Sequence, residues 1–288
     1  MTQGNDADVG VRGTAHTDVS GNGQGDRPRL QGVRNFRDLG GIPARDGLSI
    51  RHGRLFRSGH LANATPADAA ALASANLRVI FDLRNDADID RDGSDVTVPG
   101  ARTVSLALVD PAHGVDISQL LNDGGTEQLR ALFADGGAAA IMTEVYRSEV
   151  TRSTDAHARF LRQLCAPEGT PALIHCSAGK DRAGWAVALV LLALGVSEDE
   201  AMADYLASND PSATLLVPVL EQAGVDPAGR AELNELLRPV LEARPEYLRG
   251  ALDAVHQTWG DFATYLSEGL DFGPRRQELL REQLLTEP

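Results

Sequence analysis

Lysine is almost missing from this chain. Of 27 basic residues, Lys180 is the one lysine and the rest are arginines. That bias is what a GC-rich genome produces, so most of the arginines carry no functional message. The lysine lies within a short loop of small residues, and a compact ammonium there is not interchangeable with a planar guanidinium. Positive charge is scarce as well: 41 acidic residues give a net charge of −14. This argues against a general nucleic-acid binder and against broad attraction to anionic membranes. Any anionic ligand must be captured by a local positive site. Cysteine is limited to Cys165 and Cys176, which excludes a disulfide framework, and a redox Cys-x-x-Cys is absent. No apolar run reaches the roughly 20 residues that a membrane span needs. The first residues are polar and rich in Gly and Asp rather than built as a secretion signal, so the expected location is the cytoplasm, with export without a signal peptide left open.

What is present is concentrated in residues 172–195, ALIHCSAGKDRAGWAVALVLLALG. Ala172 to His175 read as a short buried strand. A loop of small residues follows, then a helix that is apolar nearly all round and therefore buried. Cys176 and Arg182 bracket the loop. A loop that leaves a strand and enters a helix can turn successive N–H groups inward as an anion-binding nest. The helix N-terminus adds partial positive charge, and an Arg fork binds two oxygens of a tetrahedral phosphate. A cysteine at the centre of such a nest is favoured as the nucleophilic thiolate. The Gly-Lys pair does not make a nucleotide-binding loop. That motif needs Gly where Ile174 stands and Ser or Thr where Asp181 stands.

HCSAGKDRAG resembles the signature of the cysteine-dependent phosphatases, and its GKD centre resembles the atypical bacterial tyrosine phosphatases of the PtpB type. NFRDLGG (35–41), GRLFRSGHL (53–61), FDLR (81–84) and ADYLASND (203–210) resemble the same family in the same order, so the likeness covers residues 31–288. The resemblance implies an α/β fold with a central, largely parallel sheet flanked by helices. It also implies a helical lid, placed at residues 211–243. Residues 1–27 are expected to be a disordered tail and 28–288 a single phosphatase domain.

Along the chain, Arg37, Asp38 and Arg57 are polar residues of short strands and turns, open to either a structural or a functional role. Thr65-Pro66 opens a helix, with Thr65 as N-cap and Asp68 in the first turn. That helix leads into a strand at Val79–Leu83, and helix before strand implies crossover units. Asp82 and Arg84 read as easily as an ion pair. Thr103–Val109 reads as a strand that, if parallel to 172–175, delivers Asp110 to the edge carrying Cys176. Residues 114–140 read as an insertion with short helices, followed by helices near Thr143–Tyr146 and over Ser153–Cys165. Ser197 and Glu200 suggest a capping box, and helices are expected from Pro245, over 261–268 and over 274–284.

The reaction implied is phosphomonoester hydrolysis through a phosphocysteine. Cys176 attacks phosphorus, and Arg182 with the loop N–H groups (Ser177, Ala178, Gly179, Lys180 and Asp181) binds the phosphate. Asp110 serves as general acid, with Asp181 as the competitor for that role or as a partner of Lys180. No metal or cofactor is called for. Ala183 departs from the Ser or Thr that usually follows the Arg, which bears on the rate of phosphoenzyme breakdown. The expected substrates are phosphotyrosine, then phosphoserine or phosphothreonine, and phosphoinositides through Lys180. A catalytically weak or inactive phosphate-binding module using the same loop is the alternative. Nothing in the sequence specifies an oligomeric state.

Overall fold

The computed structural model describes residues 30–108, 126–209 and 226–287. The expected tail, Asp110 and the first half of the expected lid lie outside them. Elements are numbered in chain order among the described residues.

A five-stranded sheet carries the molecule, in the order β1 (Arg37–Asp38), β3 (Leu55–Ser58), β6 (Ala172–His175), β4 (Val79–Asp82) and β5 (Arg102–Ser105). β3, β6, β4 and β5 run parallel, and β1 is antiparallel to β3. This is the largely parallel α/β fold that the sequence implied. A separate two-stranded ribbon pairs β2 (Ser49–Ile50) with β7 (Leu285–Thr286).

The register lines up Ser58, His175 and Asp82 at one end of the sheet, with Ser105 beside Asp82. Every residue of β3, β4 and β6 is buried, as expected of parallel strands covered on both faces. Alternation divides them. Phe56, Ile80 and Leu173 pack with Leu72 of α1 (Pro66–Ser74). Leu55, Val79, Phe81, Ala172 and Ile174 face the larger core, which holds α5 (Thr154–Leu164) and α6 (Asp181–Ala193). α1 starts where its capping box puts it. Thr65 Oγ1 accepts from Asp68 N, and Asp68 Oδ2 accepts from Thr65 N.

The remaining elements are α2 (Asp86–Asp92), α3 (Thr126–Phe133), α4 (Gly137–Arg152), α7 (Glu198–Leu206), α8 (Pro227–Leu241), α9 (Pro245–Trp259), α10 (Phe262–Thr264) and α11 (Pro274–Leu284). A single π-turn, Tyr265–Gly269, continues α10. Two expectations are corrected. The helix near Thr143–Tyr146 is a 16-residue helix, and its packing against α9 explains why it persists. The strand expected over 103–109 is Arg102–Ser105, because beyond it the chain leaves the ladder and Leu108 N bonds Leu83 O. At the start of α7, Ser197 Oγ accepts from Glu200 N at 3.2 Å.

Candidate active site

β6 ends at the aligned edge of the sheet, and the chain then turns through residues 176–180 into α6. Cys176 is buried at the base of this turn. The turn is possible because of Gly179, which has φ +72°; a Cβ there would lie 2.4 Å from the Ser58 carbonyl. Only glycine meets both conditions.

The carbonyls of Ser177, Gly179 and Lys180 find donors from the surrounding scaffold. Ser177 O accepts from His60 N at 3.1 Å, and Gly179 O from Asn35 Nδ2 at 2.9 Å. Arg57 Nε donates to Gly179 O at 2.9 Å and Arg57 Nη2 to Lys180 O at 3.0 Å. In a planar peptide the C=O and the next N–H point in opposite directions. Turning these carbonyls outward therefore turns the N–H groups of 178, 180 and 181 the other way, which makes a nest for an anion.

Arg57 is fully buried, and its remaining bonds go to Asp204 Oδ2 (2.6 Å) and Ser208 Oγ (2.8 Å). Arg37 binds the other carboxylate oxygen of Asp204 at 2.7 Å. Burial alone would raise the Asp204 carboxyl; the charges of Arg57 and Arg37 outweigh it and hold it below the carboxylate range. Arg37 and Arg57 thus brace the loop from outside. Asp38 is structural too, accepting from Gly40 N and Gly53 N.

Arg182 is nearly inaccessible at 3% exposure. Its Nη1 bonds the Asp88 carboxylate and lies 3.4 Å from Leu83 O, and Nη2 lies 3.4 Å from Ser177 Oγ. Burial would raise the Asp88 carboxyl, but Arg182, the Asn85 N–H and Arg91 hold it well below the usual range. Asp88 therefore stays ionised and fixes the guanidinium at the loop. It also accepts from Arg91 Nη2 at 2.9 Å, and that same nitrogen reaches Ser177 Oγ at 3.0 Å. Arg91 is half exposed and puts a further cation at the rim.

Lys180 and Asp181 sit at the start of α6 with specific partners. Lys180 Nζ donates to Val240 O at 2.6 Å, lies 3.4 Å from Glu242 O, and is 3.5 Å from Asp181 Oδ2. Asp181 Oδ1 accepts from Tyr146 OH at 2.7 Å, and Tyr146 OH is 2.9 Å from Tyr205 OH. Burial, then the nearby Asp181 charge, push the Tyr146 phenol well above its ordinary value, so it remains a donor.

Below the loop, His175 Nε2 is 3.0 Å from Asp95 Oδ2, and Arg84 Nη2 is 2.9 Å from both Asp82 Oδ2 and Asp95 Oδ1. Asp82, Asp95 and His175 have the ligand types and spacing of a metal site. Arg84 already pairs with both carboxylates, so the cluster reads as an ion network beneath the loop.

The structure thus brings together Cys176, Ser177, Ala178, Gly179, Lys180, Asp181 and Arg182, while Asp110 lies outside the described residues. Asn35, Asp88, Arg91, Tyr146 and Asp204 were not singled out in the sequence. Asn35 and Asp204 do fall inside NFRDLGG and ADYLASND, which was the available signal.

A strand–loop–helix unit with an inward amide nest, a cysteine at its base and an arginine locked beside it is the layout of a phosphoryl-handling hydrolase. The chain belongs to the tyrosine phosphatase family, whose model matches residues 28–286, and it is accordingly a phosphatase. A Cupriavidus necator protein named as a tyrosine-protein phosphatase is 33% identical over 241 residues, covering 83% of this chain and 82% of the relative. The triple specificity protein phosphatase PtpB of Mycobacterium tuberculosis is 33% identical over 258 residues, covering 83% of this chain and 92% of the relative. Among the described residues, no helix is long and apolar enough to cross a membrane.

Proposed function

We propose that this phosphatase hydrolyses phosphotyrosine, and secondarily phosphoserine and phosphothreonine, through a phosphocysteine formed on Cys176. The supporting observation is the set of outward-bonded carbonyls at Ser177, Gly179 and Lys180, which leaves the loop N–H groups for the phosphate. The Cys176 sulfur attacks phosphorus in line, and the P–O bond to the leaving group breaks as a general acid protonates that oxygen. Water then attacks the phosphocysteine, losing a proton to the same residue, and releases phosphate and the thiolate. Arg182, kept in place by Asp88, carries the charge of the transferring group.

Asp110 remains our first choice for the acid. Leu108 N bonds Leu83 O, and that carbonyl also meets Arg182 Nη1, so the chain reaches the site two residues before Asp110. Asp181 is committed to Tyr146 and Lys180. Its role is to hold the helix start.

Phosphoinositides are a second reading, carried by Lys180. Because its Nζ is bonded to the last turn of α8, extra substrate phosphates would have to displace that contact, and this favours monophosphates. The Mycobacterium relative's name, a triple specificity protein phosphatase, supports more than one class of substrate. α8 forms the described part of a lid. The thiolate chemistry fits a reducing cytoplasm.

Turnover of an aryl phosphate in the presence of chelator tests the reading. Activity should vanish in Cys176→Ser and Arg182→Ala. Asp110→Asn should slow leaving-group departure more than Asp181→Asn does. Full activity in Cys176→Ser would remove the phosphocysteine route, and absence of turnover by the unmodified protein would leave the phosphate-binding module.

A further inference from the structure

A small cavity of about 10 Å³ lies beside the loop, lined by Tyr146, Glu149, Asp181, Arg182 and Trp185. Its surroundings are unusual for a core. Glu149 Oε1, both ring nitrogens of His157, Trp185 Nε1 and Tyr265 OH are buried without hydrogen-bond partners. His157 Nε2 lies 3.4 Å from Glu149 Oε1. The distance suits an ion pair, yet both groups are so deeply buried that charge is disfavoured on each. Burial pushes the Glu149 carboxyl up to about 7, against the opposing pull of Ser153 and Arg182, and pulls the His157 imidazole down to about 3. Two titratable side chains in an apolar core contribute little to stability, but they sit beside the cation that takes up phosphate.

We propose that Glu149 and His157 form a one-proton pair that sets the charge beside Arg182, making Glu149 a positioning residue for phosphate capture. With its proton the pair is neutral and adds no charge beside the Arg182 guanidinium, which is bonded to the Asp88 carboxylate. When that proton leaves to solvent, a carboxylate faces Arg182 across the cavity and competes with the incoming dianion. The groups facing Glu149 are Tyr146 and Ser153 on its own segment, His157 from α5, Asp181, Arg182 and Trp185 from α6, and Tyr265 from the π-turn. Arg182 is the charged group among them whose interaction changes sign of benefit, since it gains an anion as the nest loses field. The inference rests on Arg182 being the phosphate-binding cation.

The test uses Cys176→Ser with Trp259→Phe, which removes the nucleophile and leaves Trp185 as the fluorophore. Sulfate is the probe, because it stays a dianion between about pH 5.5 and about pH 8.5. Its Kd, measured by calorimetry, should weaken by about ten-fold across the Glu149 titration, as expected for one new charge at partly screened distance. Glu149→Gln should hold the tight value throughout. Trp185 emission should titrate with the same midpoint, near the value for Glu149, and lose that transition in Glu149→Gln. An equal pH dependence of Kd in the two proteins overturns the proposal. So does the absence of a Trp185 transition in the parent, a result that does not depend on any Glu149 variant folding. Arg182→Met separates the two levels: unaltered sulfate affinity there overturns the site reading together with this one. Lost affinity there, with no Glu149 dependence in the parent, overturns this one alone.

Discussion

Replacing Arg57 by Met should unseat the phosphate loop and destabilise the whole protein. The guanidinium is fully buried and makes four bonds, two to loop carbonyls, one to Asp204 and one to Ser208. Hydrogen bonds to a charged group are worth about 1.5–3 kcal/mol each, but contributions within one network do not add. Removing one partner of a buried ion pair costs about 3–5 kcal/mol, because the other charge stays behind. Asp204 keeps Arg37, at 2.7 Å, so the lower end, about 3 kcal/mol, is the better figure. That is a large share of the roughly 5–15 kcal/mol of a typical domain and should lower Tm by about 6–12 °C. Denaturant melts of Arg57→Met, Asp204→Asn and the double variant form the test. The double variant should cost less than the two singles together, since no uncompensated carboxylate remains. Arg57→Lys should recover part of the stability but little activity, because one ammonium cannot reproduce a fork spanning Gly179 O and Lys180 O. Arg57→Met within about 1 kcal/mol of wild type, or a strictly additive cycle, would refute the bracing role.

Gly179→Ala combines a left-handed backbone with a 2.4 Å clash on the Ser58 carbonyl. It should cost at least about 1–3 kcal/mol and abolish turnover, as read by melts and aryl phosphate hydrolysis. Lys180→Met removes the bond to Val240 O; hydrogen exchange should accelerate in α8 while β6 stays protected. An equal loss of kcat/KM on aryl monophosphate and on polyphosphorylated inositides would count against the lipid reading. Ala183→Ser adds a hydroxyl one residue after Arg182, at a fully buried position. If it reaches the departing sulfur, a bond to a charged group speeds phosphoenzyme hydrolysis by about one to two decades, and rapid quench should show a smaller burst of bound phosphate.

The strand–loop–helix unit and the start of α1 were legible because their signals are local: an apolar run of four, a Cys and Arg at fixed spacing, a Thr-Pro cap. α4 was read far too short. Its buried face, Ala138, Met142, Tyr146, Glu149 and Val150, follows helical spacing, but it contains an alanine and a glutamate where large apolar residues announce a core. Asp88 was hidden for a different reason. It lies in NDADIDRD, where nothing in the sequence separates the one carboxylate that turns inward from those facing water. Arg37 and Arg57 were left open between structure and function, and the answer depends on Asp204, 147 residues beyond Arg57. Such pairings are set by tertiary packing, which no local pattern encodes.

The β2–β7 ribbon ties Ser49–Ile50 to Leu285–Thr286, and Arg51 N also bonds Leu284 O at 2.7 Å. Arg281 adds bonds to Leu194 O and Asp46, the last across 235 positions. Contacts this distant in sequence form late, because the loop they close is long and its entropy must be lost first. On the ribosome, the segment around residue 50 therefore waits for Leu285–Thr286 before its edge is covered. Until residue 286 emerges, β2 is an open strand edge, available to any neighbouring nascent chain. The ribbon makes the arrival of Leu285–Thr286, rather than formation of the phosphate loop, the event that covers this edge.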